Sequence, residues 1–196
     1  MTDRPASSAG ENEPPADERI LDSTLAVLAR DGVAGVSVRA VAAEAGVARG
    51  LAGYYFTNKT GLVAAALRRI GEQDLDLVRP ADHGVEPSVH LRRCLRRAVD
   101  PRYLDPDYLR LRLQLWSLAG VDAAYAAINQ TAQRRYLRGL ADLVAAARPD
   151  LDRPEVERRA ADMLIVQNGV WLTAVLIEEG DAVERAVIRC EELAFG

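Results

Sequence analysis

The sequence predicts an all-α chain of about nine helices. Three observations carry that prediction. Apolar residues recur at helical spacing from residue 17 onward, no segment alternates apolar and polar residues as a strand does, and no Gly-rich phosphate loop occurs. The 196 residues suffice for one sizeable core, or for a small module joined to a larger one. Hydrophobic residues make up 49% and charged residues 28%, which is globular composition, and no apolar run reaches the roughly 20 residues of a membrane span.

Residues 1–16 combine Pro5, Pro14 and Pro15 with Ser7, Ser8, Gly10 and acids, and are expected to form a disordered tail. From Asp17, read as an N-cap, Ile20, Leu21, Leu25, Val27 and Leu28 mark a first helix that stops at Asp31-Gly32. Ser37 caps a second short helix carrying Val38, Val41, Ala42 and Ala45, which halts at Gly46. A third runs from Val47 through Tyr54. Two short helices around a Gly-containing turn, with Ala and Val at their crossing, form a helix-turn-helix pattern.

A fourth helix is expected from near Asn58 to about Val78, and Pro80 to Pro87 breaks the chain. The fifth carries Val89, Leu91, Leu95 and Val99 and ends near Asp100-Pro101; the sixth covers Tyr108 to Leu118. The seventh covers Val121 to Ala147, closed by Pro149. Pro154 opens an eighth helix running to about Glu179, and Gly180-Asp181 separates it from a ninth that ends at Phe195. The expected domains are the tail 1–16, a helix-turn-helix DNA-binding domain 17–62, and a helical ligand-binding and dimerisation domain 63–196.

A net charge of −4 excludes nonspecific coating of nucleic acid, so any DNA contact must be local. Only Cys94 and Cys190 are available as thiols, in separate helices, which suggests neither a disulfide framework nor a metal cluster. Buried, inert thiols and a cytoplasmic location are expected, with no cofactor implied.

The string from Gly46-Val47-Ala48-Arg49-Gly50-Leu51-Ala52-Gly53-Tyr54-Tyr55-Phe56 through Thr57-Asn58-Lys59-Thr60-Gly61-Leu62 resembles the signature of the tetracycline-repressor (TetR) family. In that signature the recognition helix runs into Tyr-Phe, a short polar cap, Lys and then Leu. The resemblance is close over about Arg19 to Leu67. It implies that Ser37 and Arg39 touch the DNA backbone, that Ala48, Arg49, Gly50, Leu51, Gly53 and Tyr54 lie on or beside the major-groove face, and that Val47, Ala52 and Phe56 are core. Tyr55, Thr57 and Lys59 match the family's phosphate-holding group at the start of the fourth helix. Arg49 is the candidate base reader, since a guanidinium can bond guanine at two acceptors, although a phosphate clamp fits the same residue. Gly53 departs from the family, which often has Tyr, Leu or Ser there. Gly50 adds a second glycine, each costing the helix about 1 kcal/mol relative to alanine. Leu51, where Thr is common, could meet a thymine methyl.

The resemblance also implies a homodimer through the last two helices that reads a palindromic operator in double-stranded DNA, with half-sites about 34–36 Å apart or a multiple of that. Met163, Leu164, Val166, Val170, Trp171, Val175 and Leu176, with Val183, Val187, Ile188 and Leu193, make up the expected dimer stripes. More loosely, the body resembles the choline- and betaine-responsive branch. That likeness rests on Gly61-Leu62, the Trp116 helix, Arg134-Arg135-Tyr136 and Asn168-Gly169-Val170-Trp171-Leu172. A pocket for an unidentified small-molecule effector is expected from Leu67, Tyr103, Leu113, Gln114, Trp116, Tyr125, Met163, Gln167 and Trp171. The effector would favour one spacing of the reading heads, with the fourth helix as lever. The resulting function is a DNA-binding regulator, a repressor released by its effector. A ligand-independent or partner-regulated DNA-binding protein is the alternative. A helical-bundle enzyme is more distant, because His83 and His90 lack metal spacing and no nucleophile-base string occurs.

Overall fold

A computed structural model describes residues 14–177 and 181–196, all of their regular structure helical. Most of the expected tail, and the Gly180 break, lie outside the described residues. The chain divides into two compact units, one ending at Val63 and one covering Ala64–Gly196.

In the first unit, α1 (Ala16–Gly35) opens two residues earlier than expected. Pro15 takes the N-cap position, and Asp17 joins Glu18 in the first turn, where negative charge suits the helix dipole. The backbone leaves helical geometry at Gly32, the expected stop, before one further turn closes at Gly35. Ser37 caps α2 (Val38–Glu44), its Oγ accepting a hydrogen bond from Ala40 N at 3.1 Å. The turn that follows needs φ +64° at Gly46, a left-handed conformation that favours glycine, and lets Val47 N reach back to Ala42 O at 3.0 Å. The third helix, α3 (Arg49–Tyr55), begins two residues later than expected, because Val47 and Ala48 are spent on this turn and on an extended N-cap. Ile20, Val27 and Leu28 from α1, Val41 and Ala42 from α2, and Ala52 from α3 are buried. Val47 and Phe56, also expected in this core, are half-buried.

The fourth helix, α4 (Lys59–Leu75), starts in the first unit and continues into the second, where a 3₁₀ turn (Asp76–Val78) extends it to the expected end. Asn58 Oδ1 accepts from Gly61 N at 2.9 Å at its start. Next come α5 (Pro87–Arg97), a single turn α6 (Pro101–Leu104) and α7 (Pro106–Ser117). The α6 turn was not expected from periodicity, being too short to have any. It comes from an Asp-Pro pair: Asp100 accepts from Arg102 N, and Asp105-Pro106 repeats the device at the start of α7. The long helices α8 (Ala123–Ala147) and α9 (Arg153–Leu176) precede α10 (Ala182–Phe195). Gly71 lets α4 lie close to α8, for a Cβ there would meet the Ala132 Cβ at 2.8 Å.

The core of this unit is built on Leu91, Leu95, Leu140, Val144, Met163 and Trp171. Both thiols are buried, and burial pushes them up, Cys190 to about 12, as inert cysteines require. Met163, Val170 and Trp171, three residues of the expected dimer stripe, are core residues of their own chain. Val175, Leu176 and Ile188 of that stripe are exposed, and Ile165 and Leu172 of α9 are exposed beside them. Trp171 is fixed by its Nε1, which donates to Ala98 O at the end of α5. Periodicity located the apolar residues of α9, but not which of its two faces meets the chain's own core.

The end of α10 is stitched down by arginines. Arg159 Nη1 donates to Leu193 O, Ala194 O and Gly196 O, and Arg148 to Ala194 O. Glu155 holds Arg159 and Arg158 at 2.7 Å, and those hydrogen bonds, the Arg158 one first, lower its carboxyl to about 2. A folded-state value below the ordinary 4.5 means that this contribution is present above 4.5 and is lost as pH falls toward 2. Thermal unfolding midpoints across that window should therefore fall less steeply in Glu155→Gln than in the parent chain. Parallel curves would remove Glu155 from the acid response.

Candidate functional site

The first unit presents a helix-turn-helix, and its side-chain bonding decides which of its cations are already engaged within the unit. Five basic residues fall within 17–62. Arg19 is drawn inward, its Nη2 donating to Ala45 O at 2.8 Å, so that α1 closes the end of α2. Arg30 pairs with Glu44 of α2 at 3.1 Å and with Asp31. Arg39, Arg49 and Lys59 are exposed, one at the start of each of α2, α3 and α4. A segment with little net charge thus offers three cations at neighbouring helix starts.

Along α3, Arg49 and Gly50 are exposed, Leu51 is 40% exposed, Tyr54 82% and Tyr55 43%, while Ala52 is buried and Gly53 half-buried. Tyr54 and Tyr55 meet edge to face at 5.4 Å. Ala48 and Thr57 are exposed at either end of the helix. A Cβ at Gly50 or Gly53 would meet nothing within 4 Å, so neither glycine is demanded by packing inside the unit. Ser37 is half-buried with its hydroxyl engaged in the α2 cap, which leaves that oxygen's remaining bonding capacity for a phosphate.

The second unit contains a buried polar cluster that sequence reasoning missed. Arg112 of α7 is 0% exposed and forms an ion pair with Asp74 of α4. Its Nη1 lies 2.8 Å from Asp74 Oδ2, its Nη2 bonds Asp74 Oδ1 and also donates to Tyr108 Oη at 3.0 Å. The guanidinium lies 4.0 Å from the Trp171 ring centroid, 5.3 Å from Tyr108 and 5.4 Å from Trp116. Among the described residues its Nε has no partner, and neither do Gln114 Oε1 and Asn168 Oδ1. Burial pushes the Asp74 carboxyl above its ordinary range, with the charge and hydrogen bonds of Arg112 pulling it back. Burial also works against the Arg112 charge, but Asp74 and Tyr108 outweigh it and keep the guanidinium protonated. Tyr108 is pushed up to about 12, mainly by burial. The signal for this pair was present in the sequence: Asp74 follows Ile70 by four residues, and Arg112 sits three from both Leu109 and Leu115. Each is a charge inside an apolar stripe.

The expected pocket residues divide around this cluster. Trp116 and Trp171 line it directly, and Tyr103 packs edge to face on Tyr108 at 6.0 Å. Gln167 accepts from Tyr136 Oη at 2.9 Å, and Met163 is fully buried. Leu67 and Tyr125 are buried, and Leu113 and Gln114 half-buried, without a bond to the cluster among the described contacts. An open groove of about 640 Å³ between α8 and α9, lined by Leu137, Ala141, Leu151 and Val156, uses none of the expected pocket residues.

Comparison with known proteins bears on both units. Residues 20–66 match the family model described as bacterial regulatory proteins, tetR family. The chain is 29% identical over 171 residues to the HTH-type transcriptional regulator BetI 1 of Chromohalobacter salexigens, covering 86% of this chain and 83% of that one. A transcriptional regulator from Pseudomonas aeruginosa PAO1 has the same fold with a TM-score of 0.78 and 25% identity, over 90% of this chain and 87% of that one. A regulator from Saccharomonospora viridis, solved in complex with choline, matches with a TM-score of 0.67 and 21% identity, over 90% and 94%. No described helix is long and apolar enough to cross a membrane. A helix-turn-helix with exposed cations, matched by the family's own model and followed by a helical body that its regulators share, leads to one conclusion: residues 20–66 are a tetR-family DNA-binding module, and the chain as a whole is similar to transcriptional regulators of that family.

Proposed function

We propose that the protein is a cytoplasmic homodimeric repressor that holds a palindromic operator through residues 17–62 and releases it when a small molecule binds within residues 63–196. The observation that carries this reading is the sorting of cations in the first unit, where Arg19 is bonded inward and the exposed Arg30 is paired with Glu44 and Asp31, while Arg39, Arg49 and Lys59 stand exposed at the starts of α2, α3 and α4. In this reading Arg49, Leu51 and Tyr54 face base edges, with Ala48, Gly50 and Gly53 keeping the backbone close. Ser37, Arg39, Tyr55, Thr57 and Lys59 hold phosphates. The effector is taken up in the body among the expected pocket residues that lie outside the space Arg112 fills, and a neighbour of the same fold solved with choline supports a body of this architecture able to house a small organic molecule. Gel shift of a palindrome from beside the protein's own coding region tests the reading. Binding no tighter than to random DNA would end it.

The dimer is proposed to form through the exposed apolar positions of the last two helices. Ile165, Leu172 and Leu176 recur at spacings of seven and four on α9, a single helical stripe, and Ile188 adds to it from α10. Converting Ile165 and Leu176 together to Glu should yield a folded monomer in sedimentation, with operator affinity lost because one reader buries too little surface. A stable dimer in that variant would move the interface elsewhere.

A further inference from the structure

Arg112 is an unusual occupant for the centre of a helical body. It has no solvent exposure, and aromatic rings supply three of its walls at 4.0, 5.3 and 5.4 Å, all within the roughly 6 Å over which a ring face attracts a cation. One carboxylate, Asp74, supplies the only opposite charge bonded to it among the described contacts. Rings and one acid are the chemistry that receives an organic cation with few N–H groups. A guanidinium, which has five N–H donors, fits such walls imperfectly. The fit here shows that imperfection, since the buried Nε finds no acceptor among the described residues. Trp171 is held independently of the cation by its bond to Ala98 O, so the main aromatic wall does not depend on Arg112 for its position.

We propose that Asp74, Tyr108, Trp116 and Trp171 form a binding site for a small organic cation, and that the chain fills it with its own Arg112 side chain. Arg112 is then the residue that closes the body to quaternary ammonium ligands. The site takes tetraalkylammonium-type cations once that side chain is removed. This rests on residues of the second unit alone and stands whether or not the protein is a repressor.

The test uses the full chain and tetramethylammonium chloride, with sodium chloride at equal ionic strength as control. Trp116 and Trp171 are the only tryptophans in the sequence, so intrinsic fluorescence reports on the site itself. The wild-type protein should give no saturable fluorescence change and no rise in unfolding midpoint beyond the salt control. Arg112→Ala should gain both. Adding Asp74→Asn to that variant should weaken the response by about tenfold or more, because the desolvated charge partner is gone. Should Arg112→Ala fold poorly, Arg112→Leu keeps much of the buried stem and vacates only the head group; it is read the same way, and recovery of folding on adding the cation counts as binding. A wild-type response equal to the variant's overturns the closing role of Arg112. No response in either variant, including failure of both to fold with the cation present, overturns the site.

Discussion

Asp74→Ala is expected to destabilise the body by about 3–5 kcal/mol, the largest effect foreseen for any single substitution in this chain, because it strands the fully buried Arg112 charge. Arg112→Met should fall in the same range, since it leaves Asp74 buried with no cation beside it. The double variant Asp74→Leu with Arg112→Met should be far less costly than the sum. It removes both desolvation penalties while filling similar volume, so the coupling appears as strong non-additivity. Urea unfolding at fixed protein concentration, followed by circular dichroism, measures all three. Additive losses would show that the two side chains act independently. Such a pair adds little net stability for the ions it buries, so its retention is better understood through what it fixes: α4, the helix shared by both units, against α7.

The second large effect concerns DNA. Arg49→Ala should cost about 1–3 kcal/mol of discrimination between operator and random sequence, which is roughly 5- to 150-fold, while leaving affinity for random DNA much less changed. Lys59→Ala should instead lower both affinities together and reduce the slope of log affinity against log salt by about 1. Titrations of both variants on both DNAs, over a range of salt concentrations, separate the roles. If Arg49→Ala behaves as Lys59→Ala does, Arg49 is a phosphate clamp and base reading passes to other groups on α3, among whose large apolar side chains Tyr54, at 82% exposure, is the most accessible.

The reading head was the most legible part of the sequence because its geometry is set locally. Ser37 can cap only the helix that follows it, Gly46 can supply the left-handed turn, and Asn58 opens α4, so each boundary is written within a few residues of where it acts. The body was legible as a set of helices but not as a packing arrangement. Helical periodicity shows which residues of α9 are apolar, yet Met163 and Ile165, two apart, face opposite surroundings, and only α5, α7, α8 and α10 together decide which is core. The α6 turn escaped because four residues leave no period to detect. The Asp74–Arg112 pair escaped because its members lie 38 residues apart, and nothing local to either helix names the other as its partner.

Lysine and arginine together number 25, and Lys59 is the only lysine. Acylating or cross-linking reagents that seek side-chain amines therefore have one address, at the head of α4, while every guanidinium that stitches the body together escapes them. The chain comes with a built-in attachment point for a reporter beside its reading helix, obtained without introducing a foreign residue.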